Sequence, residues 1–126
     1  MVARYYEPSC AAEVQHIVQE ARRNGKKVRV AGDSHSWSPL SLTDDYLIGT
    51  RRFNRILRIS ATPPQITVEP GVTIAETLRA FSAHGVCLPM NVDIPTLTIG
   101  GAVAVGSNGF SRKWGRIPSS CRKPSW

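Results

Sequence analysis

Two stretches of this chain concentrate residue types that can do chemistry. The first, Val28 to Trp37, reads Val-Arg-Val-Ala-Gly-Asp-Ser-His-Ser-Trp. Its alternating apolar residues predict a strand ending at Gly32, after which Asp33, Ser34, His35 and Ser36 form a tight polar turn. Glycine at that point lets the backbone approach a ligand closely or take a positive φ. Consecutive small residues turn N–H groups outward and make the kind of concavity that holds a pyrophosphate. The imidazole of His35 suits a proton carrier, a metal ligand or a nucleophile, and a plain surface histidine fits the same local pattern.

The second stretch, Asp93 to Gly109, reads Asp-Ile-Pro-Thr-Leu-Thr-Ile-Gly-Gly-Ala-Val-Ala-Val-Gly-Ser-Asn-Gly. Gly100, Gly101 and Ala102 carry almost no side-chain bulk. Either a flat or phosphorylated ligand lies on this backbone, or a helix packs closely through it. The stretch is not a Walker loop, because Ser107 stands where the lysine belongs. It is not a G-x-G-x-x-G dinucleotide fingerprint either, since no strand feeds it at the right spacing.

The elements that must position these stretches are legible from periodicity. Pro8-Ser9 opens a helix with Ser9 as its cap, and Val14, Ile17, Val18 and Ala21 share one face up to Asn24-Gly25. Short strands follow at Lys26–Ala31 and Tyr46–Ile48. Arg51, Arg52, Arg55 and Arg58 then interleave with Phe53, Ile56, Leu57 and Ile59, apolar residues expected to face inward, and Pro63-Pro64 breaks the chain before a strand at Gln65–Glu69. Thr73 and Glu76 form the capping-box pair of a second helix carrying Ile74, Leu78 and Phe81 on its buried stripe. His84-Gly85 ends that helix, Val86–Leu88 is a brief strand, and a long loop enters a short apolar helix. The expected class is α+β, a small mixed sheet with two principal helices.

Composition bounds the function. The 126 residues are 41% hydrophobic and 20% charged, an ordinary soluble balance. No apolar run is long enough to span a membrane, the N-terminus lacks a signal-peptide core, and an intracellular location is expected. Three cysteines match no zinc spacing, and no metal site is expected. The net charge of +7 raises the possibility of nucleic-acid binding. Five of the basic residues (Arg112, Lys113, Arg116, Arg122 and Lys123) lie in the final fifteen positions, which hold no acid. The basicity thus belongs to the tail, and no nucleic-acid partner is expected.

Three ordered motifs carry a resemblance. They are Val-Ala-Gly-Asp-Ser-His-Ser-Trp-Ser-Pro-Leu-Ser-Leu-Thr-Asp from Val30, Val-Glu-Pro-Gly-Val-Thr-Ile from Val68, and Asp-Ile-Pro-Thr-Leu-Thr-Ile-Gly-Gly-Ala from Asp93. Together they resemble the FAD-binding (PCMH-type) domain of the vanillyl-alcohol-oxidase superfamily, and within it the sugar-lactone oxidases and alditol oxidases. The likeness runs from about Tyr5 to Gly115. It implies that Gly32, Asp33, Ser34, His35 and Ser36 wrap the FAD pyrophosphate, with His35 the candidate for a covalent bond to the flavin. It further implies flavin contacts at Asp93, Ile94, Thr98, Ile99, Gly100, Gly101 and Ala102, continuing through Gly106, Ser107 and Gly109. No catalytic residue is carried over.

Two departures from the family pattern stand out. Asn108 occupies a position where the family often has histidine, and an amide cannot shuttle protons at neutral pH. After Gly115 the pattern gives way to Arg-Ile-Pro-Ser-Ser-Cys-Arg-Lys-Pro-Ser-Trp. Residues 1–115 are accordingly expected to be the N-terminal part of the FAD-binding domain and residues 116–126 a basic, disordered tail. The leading expectation is an FAD-binding fragment of a sugar-lactone or alditol oxidase, inactive by itself for want of a substrate domain. The competing one is a small non-catalytic basic module contacting nucleic acid or an acidic surface.

Overall fold

A computed structural model of the chain describes residues 2–34, 39, 41–86 and 94–106. Three strands, β1 (Arg4–Tyr6), β2 (Val28–Ala31) and β3 (Tyr46–Gly49), form a parallel sheet in the order β1-β3-β2. Parallel neighbours need a crossover. Helix α1 (Ala11–Arg23) carries the chain from β1 to β2, and β3 then inserts between them. A second, antiparallel sheet is the hairpin of β4 (Ile56–Ala61) and β5 (Pro64–Val68). Helices α2 (Ile74–Ala83) and α3 (Ile99–Val105) complete the described elements. The α+β expectation holds, with the parallel and antiparallel pairings in separate sheets.

Two small apolar clusters hold these parts. In the first, Ile17 and Ala21 of α1 pack on Tyr46 and Ile48 of the central strand, flanked by Tyr6, Val14 and Val28. Val18, expected on the same face, is 45% exposed. It sits about 100° around the helix from Ile17, beyond the reach of so narrow a sheet. The start of α1 also differs from expectation. Cys10 is the N-cap and Ser9 lies one residue outside, where its N–H and hydroxyl donate to Glu13 Oε2 at 2.6 and 3.2 Å. Glu13 therefore reaches back to the chain entering the helix, and the bonds run opposite to the expected cap.

The second cluster joins α2 to α3 through Ile74 and Ala102, with Leu78, Leu97, Ile99 and Val103 around them. The capping box is present: Thr73 Oγ1 accepts from the Glu76 N–H, and Glu76 Oε2 accepts from the Thr73 N–H at 2.7 Å. Phe81 is buried as expected, and Thr77 joins the same stripe because its hydroxyl is satisfied by Thr73 O at 3.0 Å. Val86 is not in a strand. Its N–H and that of Gly85 donate back to Phe81 O and Ser82 O, so both residues are drawn into a Schellman-type cap of α2. The remainder of the expected Val86–Leu88 strand lies outside the described residues.

The hairpin also differs in burial from its expected pattern. Ile56 and Leu57 are 40% and 57% exposed rather than turned inward. A register shift between Ile56 and Arg58 disturbs the alternation on which inward facing depends.

Candidate functional site

Strand β2 ends at the carboxyl edge of the parallel sheet, the edge where open sheets with helical crossovers hold their ligands. The ladder closes with the Thr50 N–H donating to Ala31 O at 3.2 Å, and Gly32 begins the turn immediately beyond. Two residues on, Ser34 has φ 60°, a left-handed conformation that non-glycine residues rarely adopt. The left-handed conformation is one of the two from which an anion-holding nest is built. Ser34 also lines a cavity of about 440 Å³ shared with Ala31, Pro39, Leu42 and Leu47.

The second glycine-bearing segment comes to this turn from 66 residues further along the chain. A β-carbon on Gly32 would fall inside van der Waals distance of Thr98 Oγ1 and 3.5 Å from Thr98 Cβ. Thr98 is 7% exposed, and its hydroxyl accepts the N–H of Gly101 at 3.2 Å as the N-cap of α3. The same hydroxyl would lie 3.0 Å from a β-carbon on Gly101. The Thr98 side chain thus fills a slot bounded by two glycines, one from each segment.

The amino-terminal turn of α3 is bound from behind. Ile99 N–H donates to Val72 O at 2.7 Å and Gly100 N–H to Pro70 O at 2.9 Å. In return, Ile74 N–H of α2 donates to Leu97 O at 2.8 Å and Ala75 N–H to Pro95 O at 2.9 Å. The lead-in chain of each helix therefore caps the other, which satisfies donors that a helix start leaves open. Gly100 meets Pro70 closely, since a β-carbon there would be 2.6 Å from Pro70 Cβ. Its small size serves backbone packing against the Val68–Ile74 motif.

Of the expected contacts, the structure brings together Gly32, Thr98 and Gly101, with Asp33 and Ser34 continuing the first turn and Ile99, Gly100 and Ala102 backing the second. Ala102 is buried in the α2–α3 cluster, Ile94 is 37% exposed, and Gly106 ends α3 in the left-handed region with φ 67°. His35, Ser36, Asp93, Ser107, Asn108 and Gly109 lie outside the described residues. No group of three His, Cys, Asp or Glu placed to hold a metal occurs among the described residues. Among the same residues no helix is long and apolar enough to cross a membrane. Cys10 is a free, half-buried thiol.

Pro70, Thr50 and the Arg55–Glu69 pair had no role expected from the sequence. Glu69 is 5% exposed, and the Arg55 guanidinium bonded to it holds its carboxyl below the usual carboxylate range. The signal was present in the Val-Glu-Pro-Gly motif, where an acid stands at the end of an apolar strand and rarely lies buried without a partner.

The whole of residues 2–123 matches the model of the family described as FAD binding domain, and the chain belongs to that family. It is the N-terminal type of FAD-binding domain found in the vanillyl-alcohol-oxidase superfamily and is related to the sugar-lactone oxidases. It is 32% identical to L-gulonolactone oxidase of Mus musculus over 111 residues, covering 88% of this chain and 25% of that protein. It is 35% identical over 113 residues to a probable L-gulonolactone oxidase of Arabidopsis thaliana, covering 86% of this chain and 19% of the relative. With D-arabinono-1,4-lactone oxidase of Eremothecium gossypii the identity is 30% over 91% of this chain and 22% of the relative. The chain therefore spans about a quarter of the length of these relatives or less. The fold is shared with alkyldihydroxyacetonephosphate synthase, at a TM-score of 0.79 and 24% identity over 91% of this chain and 23% of that one. It is shared too with cholesterol oxidase from B. sterolicum, at 0.75 and 22% over 83% of this chain and 21% of that one.

Proposed function

We propose that this chain holds FAD at the junction of the Gly32–Ser36 turn and the Asp93–Gly109 segment, as the flavin-binding part of a sugar-lactone or alditol oxidase. The observation that carries the reading is the seating of Thr98 against Gly32, which joins the two glycine segments at the ligand-binding edge of a parallel sheet. The residues fit a dinucleotide. Ser34 holds the left-handed conformation that an anion-holding turn uses, and the glycines at 32 and 101 let the Thr98 side chain seat between the two segments beside it.

Bound FAD would supply hydride acceptance from a C–H that bears a hydroxyl group. The protein's part is to bind, orient and tune it. In this assignment Gly32, Asp33, Ser34 and Ser36 present the turn to the pyrophosphate. Thr98, Ile99, Gly100, Gly101 and Ala102 are assigned the cofactor contacts of the second segment, and Asp93, Ile94, Gly106, Ser107 and Gly109 are assigned to the same set. His35 is assigned the covalent attachment, since a neutral imidazole nitrogen is a competent nucleophile. The substrate class rests on the lactone oxidases to which the chain is similar.

The test is direct. The purified chain is titrated with FAD while flavin fluorescence and the visible spectrum are followed. Saturable quenching with a shifted flavin band is the expected result, and free-flavin behaviour at every concentration would overturn the reading. Acid denaturation then reports attachment. Protein-bound yellow fluorescence in the wild type and its loss in His35→Ala is expected, while fluorescence that persists in the variant would reassign the linkage.

A further inference from the structure

Arg55 and Glu69 form a cluster that neither glycine segment accounts for. Glu69 Oε1 accepts from Arg55 Nε at 2.9 Å and from a terminal guanidinium nitrogen at 2.7 Å, while Oε2 accepts the Arg55 N–H at 2.7 Å. The Glu69 N–H donates to Arg55 O at 2.9 Å. Both carboxylate oxygens of a buried side chain are thereby engaged at the point where the β4–β5 hairpin leaves the rest of the chain.

The pair stands at one end of a short relay. The chain turns sharply after Glu69, with the Val72 N–H donating to Glu69 O at 3.2 Å and the Gly71 N–H to Phe53 O at 2.7 Å. The carbonyls of Pro70 and Val72, inside that same turn, receive the N–H groups of Gly100 and Ile99. One end of the turn is bolted to Arg55 and Phe53, and the other carries the first turn of α3. That first turn fixes Thr98, which packs on Gly32.

We infer that Arg55 and Glu69 are positioning residues for the proposed flavin site, setting through the Pro70–Val72 turn where α3 places Thr98 against Gly32. The inference rests on the FAD reading. A hairpin staple alone would stiffen β4 and β5. A positioning pair also governs the distant first turn of α3, because the carbonyls that anchor that turn follow Glu69 directly.

The experiment uses the full chain with Glu69→Gln, which keeps the shape and removes the charge, and Arg55→Lys, which keeps the charge pair but loses the forked contact. Residue-resolved hydrogen exchange without ligand and FAD titration are measured on each. In both variants the Ile99 and Gly100 amides should exchange faster while those of Ala21 and Ile48 keep their wild-type rates. FAD should bind about tenfold more weakly or worse, the scale on which outer residues that orient a binding group commonly act, with Arg55→Lys the milder of the two. Faster exchange confined to β4 and β5, or spread evenly over the chain, would overturn the inference. So would variants that bind FAD as tightly as the wild type. A wild-type chain that binds no FAD would instead sink the functional reading on which the inference rests, and the inference with it.

Discussion

The hydroxyl of Thr98 occupies the space that a side chain on Gly32 would need. These residues lie 66 positions apart, and their contact is where the strand-end turn meets the start of α3. Gly32 cannot gain a side chain without Thr98 moving. Thr98 is further committed by its bond to the Gly101 N–H, so the strain of a larger residue at position 32 falls on the cap of α3.

Gly32→Ala is therefore expected to destabilise the chain, and the cost should depend on Thr98. Removing the hydroxyl in Thr98→Ala loses a cap, a change that typically costs about 1 kcal/mol. It also clears the space, leaving only Thr98 Cβ at 3.5 Å, an ordinary contact. In the double variant the two losses should sum to less than the separate values. Urea unfolding of the four proteins measures the coupling, and strict additivity would mean that the contact is not made.

At the adjacent glycines of α3 the order of sensitivity is set by what lies behind each. Alanine at Gly100 would collide with Pro70, whose β-carbon and carbonyl lie 2.6 and 3.0 Å from the new atom. Among the described residues, alanine at Gly101 meets only the Thr98 hydroxyl at 3.0 Å, and gains about 1 kcal/mol of helix propensity against that tight contact. Gly100→Ala should lower the melting temperature clearly, and Gly101→Ala should change it little. The reverse order would contradict the packing of α3 on Pro70.

Thr50 follows the central strand and is 8% exposed, and its hydroxyl has no hydrogen-bond partner among the described residues. A buried donor without a partner costs about 1–3 kcal/mol, whereas an apolar group of the same shape carries no such penalty. Thr50→Val should raise stability by about 1 kcal/mol. Calorimetry that finds the variant less stable would show that the hydroxyl is satisfied in solution.

The acid limb of stability should depend on Glu69. Hydrogen bonds from the Arg55 guanidinium lower its carboxyl pKa, as the Lys27 backbone N–H, with Lys26, lowers that of Asp45, and the Ser9 backbone N–H that of Glu13. A carboxyl lowered in the folded state contributes stability that is complete above the ordinary carboxylate range, about 4. That contribution fades as pH falls through the folded value. Unfolding free energy should thus drop below about pH 4. Glu69→Gln should be less stable at pH 7, with a shallower acid limb. An unchanged slope in the variant would remove Glu69 from the titration.

What the sequence by itself determined is local. The Thr73–Glu76 capping box, the end of α2 at His84-Gly85, the strand before Gly32 and the two glycine segments are written in nearest neighbours and in periods of two or 3.6 residues. Local pattern also misplaced what depends on a partner surface. Val18 shares the apolar arc of α1 but finds no sheet wide enough to cover it. Ile56 and Leu57 sit between arginines like core residues yet face solvent where the bulge shifts the register. Val86 has the composition of a strand, but the cap of α2 claims its N–H.

Only the tertiary structure decided which parts of the chain meet. The insertion of β3 between β1 and β2, the contact of Gly32 with Thr98, the mutual capping of α2 and α3 and the hold of Arg55 on Glu69 all join residues distant in sequence. Such contacts form only where packing brings satisfied hydrogen bonds and excluded volume together, and no window of neighbouring residues contains both partners. Chemistry was legible because it needs particular residue types, whereas the geometry that aligns those residues belongs to pairs that only the folded chain brings into contact.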